Sequence, residues 1–83
     1  LIRNYPNPFT SSTTITYKTN GGHTLVQVMD TMGRVLANLV DQELPAGSYT
    51  VQFNGQTIPA GVYYVRLQNL SVQQVKAMIK AKG

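Results

Sequence analysis

Apolar and polar residues alternate with a period of two along most of this 83-residue chain, and a pattern of that period builds strands. In the segment from Thr13 to Lys18, Ile15 and Tyr17 share one face and threonines the other. From Thr24 to Asp30, Val26 and Val28 point to the core, with Leu25 and Met29 making the opposite face fairly apolar as well. Ser48 to Phe53 places Tyr49, Val51 and Phe53 together, and Val62 to Gln68 places Tyr63, Val65 and Leu67 inward with Tyr64 and Arg66 outward. Arg34 to Val40, with Val35, Ala37 and Leu39 on one face, has a composition compatible with a helix, but its flanking turns favour a strand. Asn20-Gly21-Gly22, Thr31-Met32-Gly33, Leu44-Pro45-Ala46-Gly47, Asn54-Gly55, Ile58-Pro59-Ala60-Gly61 and Asn69-Leu70-Ser71 supply the turns. Punctuation every 8–12 residues or so is the signature of an all-β sandwich or barrel. The expected architecture is an immunoglobulin-like antiparallel β-sandwich of about seven strands, a single domain over residues 1–83, with no internal repeat, low-complexity tract or linker.

The two ends break the pattern differently. Leu1 to Arg3 reads as a short extended segment, and Asn4-Tyr5-Pro6-Asn7-Pro8-Phe9 is excluded from a ladder interior because its two prolines remove two donors. It is expected to be a rigid segment that packs Tyr5 and Phe9 over the sandwich. Val72 to Lys80 closes the domain. Its expected inner face is Val75, Ala77, Ile79 and Ala81, which turns Lys76, Met78, Lys80 and Lys82 to solvent. A slip of one residue would bury the lysines, so the register is strongly specified.

Charge is sparse: 12% of residues against 42% hydrophobic. That is about half the charge of an average globular domain, so Thr, Ser, Asn and Gln must cover the surface, as suits an extracellular β-protein. With no cysteine, disulfides, thiolate metal sites and a cysteine nucleophile are excluded. No apolar stretch approaches the ~18 residues of a membrane span. Leu1 to Phe9 lacks the basic and apolar regions of a signal peptide, and the chain reads as a piece cut from the end of a longer protein. Of a net charge of +4, the acids Asp30, Asp41 and Glu43 lie mid-chain, whereas Lys76 to Gly83 holds Lys76, Lys80 and Lys82 and no acid. Those lysines fit either a solvated strand face or a patch that meets a partner or anionic surface.

A domain of this size buries only roughly 60% of its unfolded surface, which leaves little core for a deep active-site pocket. The lone His23 sits in a glycine-rich turn and forms no multi-histidine site, and Asp41 with Glu43 lacks the further oxygens that calcium requires. No nucleophile elbow or phosphate loop is present, and the hydroxyls have no base to activate them. Catalytic, cofactor-binding and metal sites are therefore not expected. Nucleic-acid binding wants a denser basic stripe interleaved with aromatics. Outward Tyr64, with Tyr5, leaves carbohydrate binding open, on analogy of fold.

Four segments, in order, resemble one known family. Tyr5-Pro6-Asn7-Pro8-Phe9 resembles the opening motif of the type IX secretion (Por-type) C-terminal sorting domain. Val28 to Val35 resembles its strand, Gly33-Arg34 turn and strand. Gly47-Ser48-Tyr49 and Ile58 to Leu67, with Gly61 and Tyr63, resemble its Gly-x-Tyr block, and Lys76 to Lys82 resembles its lysine-bearing terminal strand. Bacterial Ig-like domains of the flagellar hook-cap type share the middle blocks, but not the opening or the lysine-rich end. The resemblance implies that an upstream cargo reaches the periplasm of a Gram-negative bacterium and that an outer-membrane translocon recognises this domain. Export to the surface or medium follows, and a sortase-like peptidase then removes the domain. Lys76, Lys80 and Lys82 are the expected recognition residues, projecting from the body as a handle. The alternative is a structural or carbohydrate-binding accessory module of a secreted enzyme.

Overall fold

The computed structural model describes residues 2–70 and 72–82. It contains seven strands: β1 (Ile2–Tyr5), β2 (Ser12–Thr19), β3 (Gly22–Met29), β4 (Val35–Leu44), β5 (Gly47–Asn54), β6 (Gly61–Asn69) and β7 (Val72–Lys80). They form two antiparallel sheets, ordered β1-β2-β5 and β4-β3-β6-β7. This is the immunoglobulin-like sandwich that the alternation predicts. Ile15, Tyr17, Val26, Val28, Phe53, Tyr63, Val65 and Leu67 fill the space between the sheets. The Asn69-Leu70-Ser71 connection leads through Leu70, at φ 53°, to Ser71, which lies outside the described residues.

Two departures from the expected strands have physical causes. β4 runs on past Val40 to Leu44, because β3 continues to pair with it as far as Gly22–Leu44. Its register against β3 shifts twice, between Val26 and Gln27 and between Val28 and Met29. Each shift flips the faces, so Val35 and Leu36 are exposed while Ala37, Leu39 and Val40 pack on the core. The other departure is a repeat. Pro-Ala-Gly-x-Tyr occurs twice, at Pro45 to Tyr49 and at Pro59 to Tyr63, once at each of the two crossings between the sheets after β4 and β5. In both copies the tyrosine hydroxyl donates to the carbonyl of the proline four positions earlier, at 2.6 Å. That is the tyrosine-corner device of immunoglobulin-like sandwiches, and it pins each crossing to the strand that follows.

The β3–β4 hairpin is held by Asp30. Its Oδ1 accepts from the backbone N–H groups of Met32 and Arg34 (2.9 and 3.0 Å), and its Oδ2 accepts from Arg34 Nε (2.8 Å). Gly33, at φ 82°, takes the left-handed conformation that this turn requires. Desolvation pushes the Asp30 carboxyl up, but the hydrogen bonds from Arg34 and Met32 outweigh it and hold the group below its ordinary value of 3.8. A depressed folded-state pKa makes a contribution that is complete above the unfolded value and is lost as pH falls through the folded one. Thermal unfolding followed from about pH 6 down to pH 2 is therefore expected to fall off below 3.8 more steeply for the native chain than for Asp30→Asn. Parallel profiles would remove Asp30 as the source.

Candidate functional site

β7 is the outer strand of the four-stranded sheet, paired with β6 without irregularity from Gly61–Lys80 to Asn69–Val72. Its faces are the reverse of the expected ones. Met78 is 0% exposed, whereas Val75 is 51% and Ile79 45% exposed. Met78 therefore enters the core, opposite Tyr63, and Lys76 and Lys80 point the same way as Met78. The reason is geometric. The facing sheet has only three strands, and its outer one, β1, is four residues long, so it leaves most of the inward side of β7 uncovered. A lysine there lays its methylene stem along apolar surface and brings its ammonium to the edge.

The three lysines consequently do different things. Lys80 Nζ donates to the carbonyls of Gly55 and Ile58 at 2.6 and 2.7 Å, which ties the end of β7 to the loop between β5 and β6. Lys76, half-buried, lines a shallow groove of about 380 Å³ between β1 and β7 with Ile2, Gln74 and Val75. Lys82 is exposed, at the rim of an open cleft that it shares with Thr10, Ser11 and Gln56. Of the three, only Lys82 matches the projecting handle expected from the sequence.

The opening segment meets this strand. Tyr5 ends β1, and two cis peptide bonds, Tyr5-Pro6 and Asn7-Pro8, carry the chain from the edge of one sheet to the edge of the other. There Asn7 Oδ1 accepts from Ile79 N (3.0 Å), Phe9 N donates to Ile79 O (3.0 Å), and Ala81 N donates to Phe9 O (2.7 Å). Phe9 and Lys80 form a parallel bridge. The Phe9 ring, 1% exposed, meets Phe53 edge-on at 6.2 Å and covers Gly55, where an added Cβ would lie 2.8 Å from Phe9 Cε2. Tyr5 does not pack over the sandwich as expected; it is 81% exposed. The Pro6 carbonyl instead accepts from Thr13 Oγ1 at 2.8 Å.

The remaining motif positions are structural in their contacts. Gly33 and Arg34 build the Asp30 turn, and Gly47, Tyr49, Gly61 and Tyr63 build the two tyrosine corners. His23 Nε2 lies 2.7 Å from Asp41, which engages one member of the Asp41–Glu43 pair on the far edge of the sheet. Among the described residues no helix is long and apolar enough to cross a membrane.

The sequence model of the family described as "Secretion system C-terminal sorting domain" matches residues 3–81. The chain belongs to that family. It is accordingly a type IX secretion C-terminal sorting signal, which engages the secretion machinery and directs export to the cell surface or medium of Gram-negative bacteria. Sorting domains are not an enzyme family, and the match favours sorting over an accessory-module role. No curated protein matches the chain. Within the sorting domain, the opening and terminal motifs that the sequence presents as separate features are a single unit, joined through Asn7, Phe9 and Ile79.

Proposed function

We propose that β7 is the element of this sorting domain that the outer-membrane translocon reads, and that the sandwich behind it catalyses no reaction. The observation that carries this reading is the composition of the β7 surface. Val75 and Ile79 are exposed apolar residues, Val62 beside Ile79 on β6 is exposed too, and Lys82 extends beyond them. Contiguous apolar residues left in water mark partner sites. Lys82 supplies a charge just past the end of that surface, Lys80 holds the strand end in place, and Lys76 borders its inner side. The upstream cargo passes through the periplasm first, and a sortase-like peptidase removes the domain after export.

The test is a fusion of residues 1–83 to a fluorescent reporter carrying a periplasmic signal, in a host with the type IX machinery. The expected result is reporter on the cell surface or in the medium. Reporter confined to the periplasm overturns the reading. Removing Lys76 to Gly83 is a poor substitute, because it takes away Met78 and the partners of Asn7 and Phe9 and so tests folding and recognition together.

A further inference from the structure

The backbone of β7 is open along its outer side from Gln73 to Ala77. Ile79 turns its N–H and C=O away from β6, to Asn7 and Phe9. In an antiparallel ladder alternate residues point the same way, and the β6–β7 register is regular. Ala77, Val75 and Gln73 therefore also direct their N–H and C=O outward. Among the described residues, nothing bonds to them. The Asn7–Phe9 segment covers the edge at Ile79 and Ala81 and stops there.

The other sheet edges differ. β1 is four residues long, and β4 is twice irregular, which blunts an edge against pairing. β5 is long, but its outward residues Ser48, Thr50, Gln52 and Asn54 are uncharged. β7 is the long, regular edge with charge on it. Lys76 lies along it and Lys82 just past its end, with the Lys80 ammonium held by Gly55 and Ile58, while all three acids of the chain sit at or near β4, the opposite edge.

Lys76 makes this edge selective. A strand added outside β7 would extend the sheet and lay one of its own inward-facing side chains next to Lys76. An apolar neighbour would desolvate the ammonium without pairing it, and a second copy of β7 would bring further lysines to the same edge. A carboxylate there would make a charge-assisted hydrogen bond. We propose that the β7 edge from Gln73 to Ala77 receives an extended, carboxylate-bearing strand of a partner protein, with Lys76 selecting the carboxylate. This rests on the reading of β7 as the recognition element and specifies the chemistry of its partner.

The experiment supplies the strand in the same molecule. Eight residues of alternating valine and glutamate are joined after Gly83 through a flexible Gly/Ser linker, which raises their effective concentration to about the millimolar range. Amide hydrogen exchange is then measured by NMR. The amides of Gln73, Val75 and Ala77 are expected to slow by about tenfold or more relative to the unfused chain. The valine–lysine version is expected to leave them unchanged, and Lys76→Glu to reverse the preference. No slowing with either strand, equal slowing with both, or slowing confined to β5 overturns the proposal. The reporter fusion read alongside separates the two claims. Export without acidic-strand protection leaves the sorting signal standing and removes the edge site, while protection without export does the opposite.

Discussion

Phe9→Ala is expected to cost the domain about 3–5 kcal/mol, the larger end of what one side chain contributes. Phe9 is buried almost completely, and its ring fills the space above Gly55 and meets the edge of Phe53. Alanine leaves that volume empty and removes an aromatic pair worth about 1 kcal/mol beyond its burial. Gly55 has no side chain to fill the gap, and the loop that carries it is pinned by its own bond to Ser11 and by Lys80. Against a total stability of about 5–15 kcal/mol for a small domain, such a loss brings the chain near unfolding. Urea titration gives the magnitude. Amide exchange gives the location, because Ile79 and Ala81, whose N–H groups donate to Asn7 and Phe9, are expected to exchange faster before the rest of the sheet does. A cost below about 1 kcal/mol would mean that Phe9 only covers a core which closes without it.

The second large effect is a contrast between neighbours. Met78→Ala is expected to lose about 2–5 kcal/mol, because Met78 is fully buried. Ile79→Ala, one position on and turned outward, is expected to lose less than about 1 kcal/mol. Simple hydrophobicity orders the two the other way, since isoleucine among Val75, Ala77 and Ala81 looks like core and methionine among lysines looks like surface. Denaturant midpoints of the two variants decide the register of β7. If Ile79→Ala is the more damaging, the strand is turned over and Lys76 faces solvent.

That inversion shows where the sequence was readable. β2, β5 and β6 each bring bulky apolar residues to one face and polar ones to the other, and Ile15, Tyr17, Phe53, Tyr63, Val65 and Leu67 are buried as their alternation predicts. β7 offers two plausible faces. Choosing between them depends on how far the opposite sheet reaches, which is a tertiary fact that no local pattern contains. Treating lysine as a residue of solvent only then selects the wrong face, because a long stem at a sheet edge is compatible with either. The shifts in β4 are likewise set by its pairing with β3 and leave no mark such as a glycine at Leu36 or Leu39. The Asn4-to-Phe9 segment reads as a break in the ladder, and the break begins only at Pro6, because Asn4 and Tyr5 still pair with Ile15 and Thr14. That Asn7 replaces a backbone acceptor and Phe9 resumes pairing follows only from the strand it lands beside. The doubled Pro-Ala-Gly-x-Tyr was visible in the letters themselves, and the fixed spacing from proline carbonyl to tyrosine hydroxyl was the signal for both corners.

The bond between Asn7 and Ile79 joins positions 72 residues apart. Closing so long a loop carries an entropic cost that local contacts do not offset early, and assembly dominated by distant pairings is slow. A nascent chain halted before Met78 would have made six strands and part of the seventh, and would still lack both the core methionine and the partner of its first segment. Chains that stop short of Met78 therefore leave the sandwich unclosed and the edge proposed for recognition unmade.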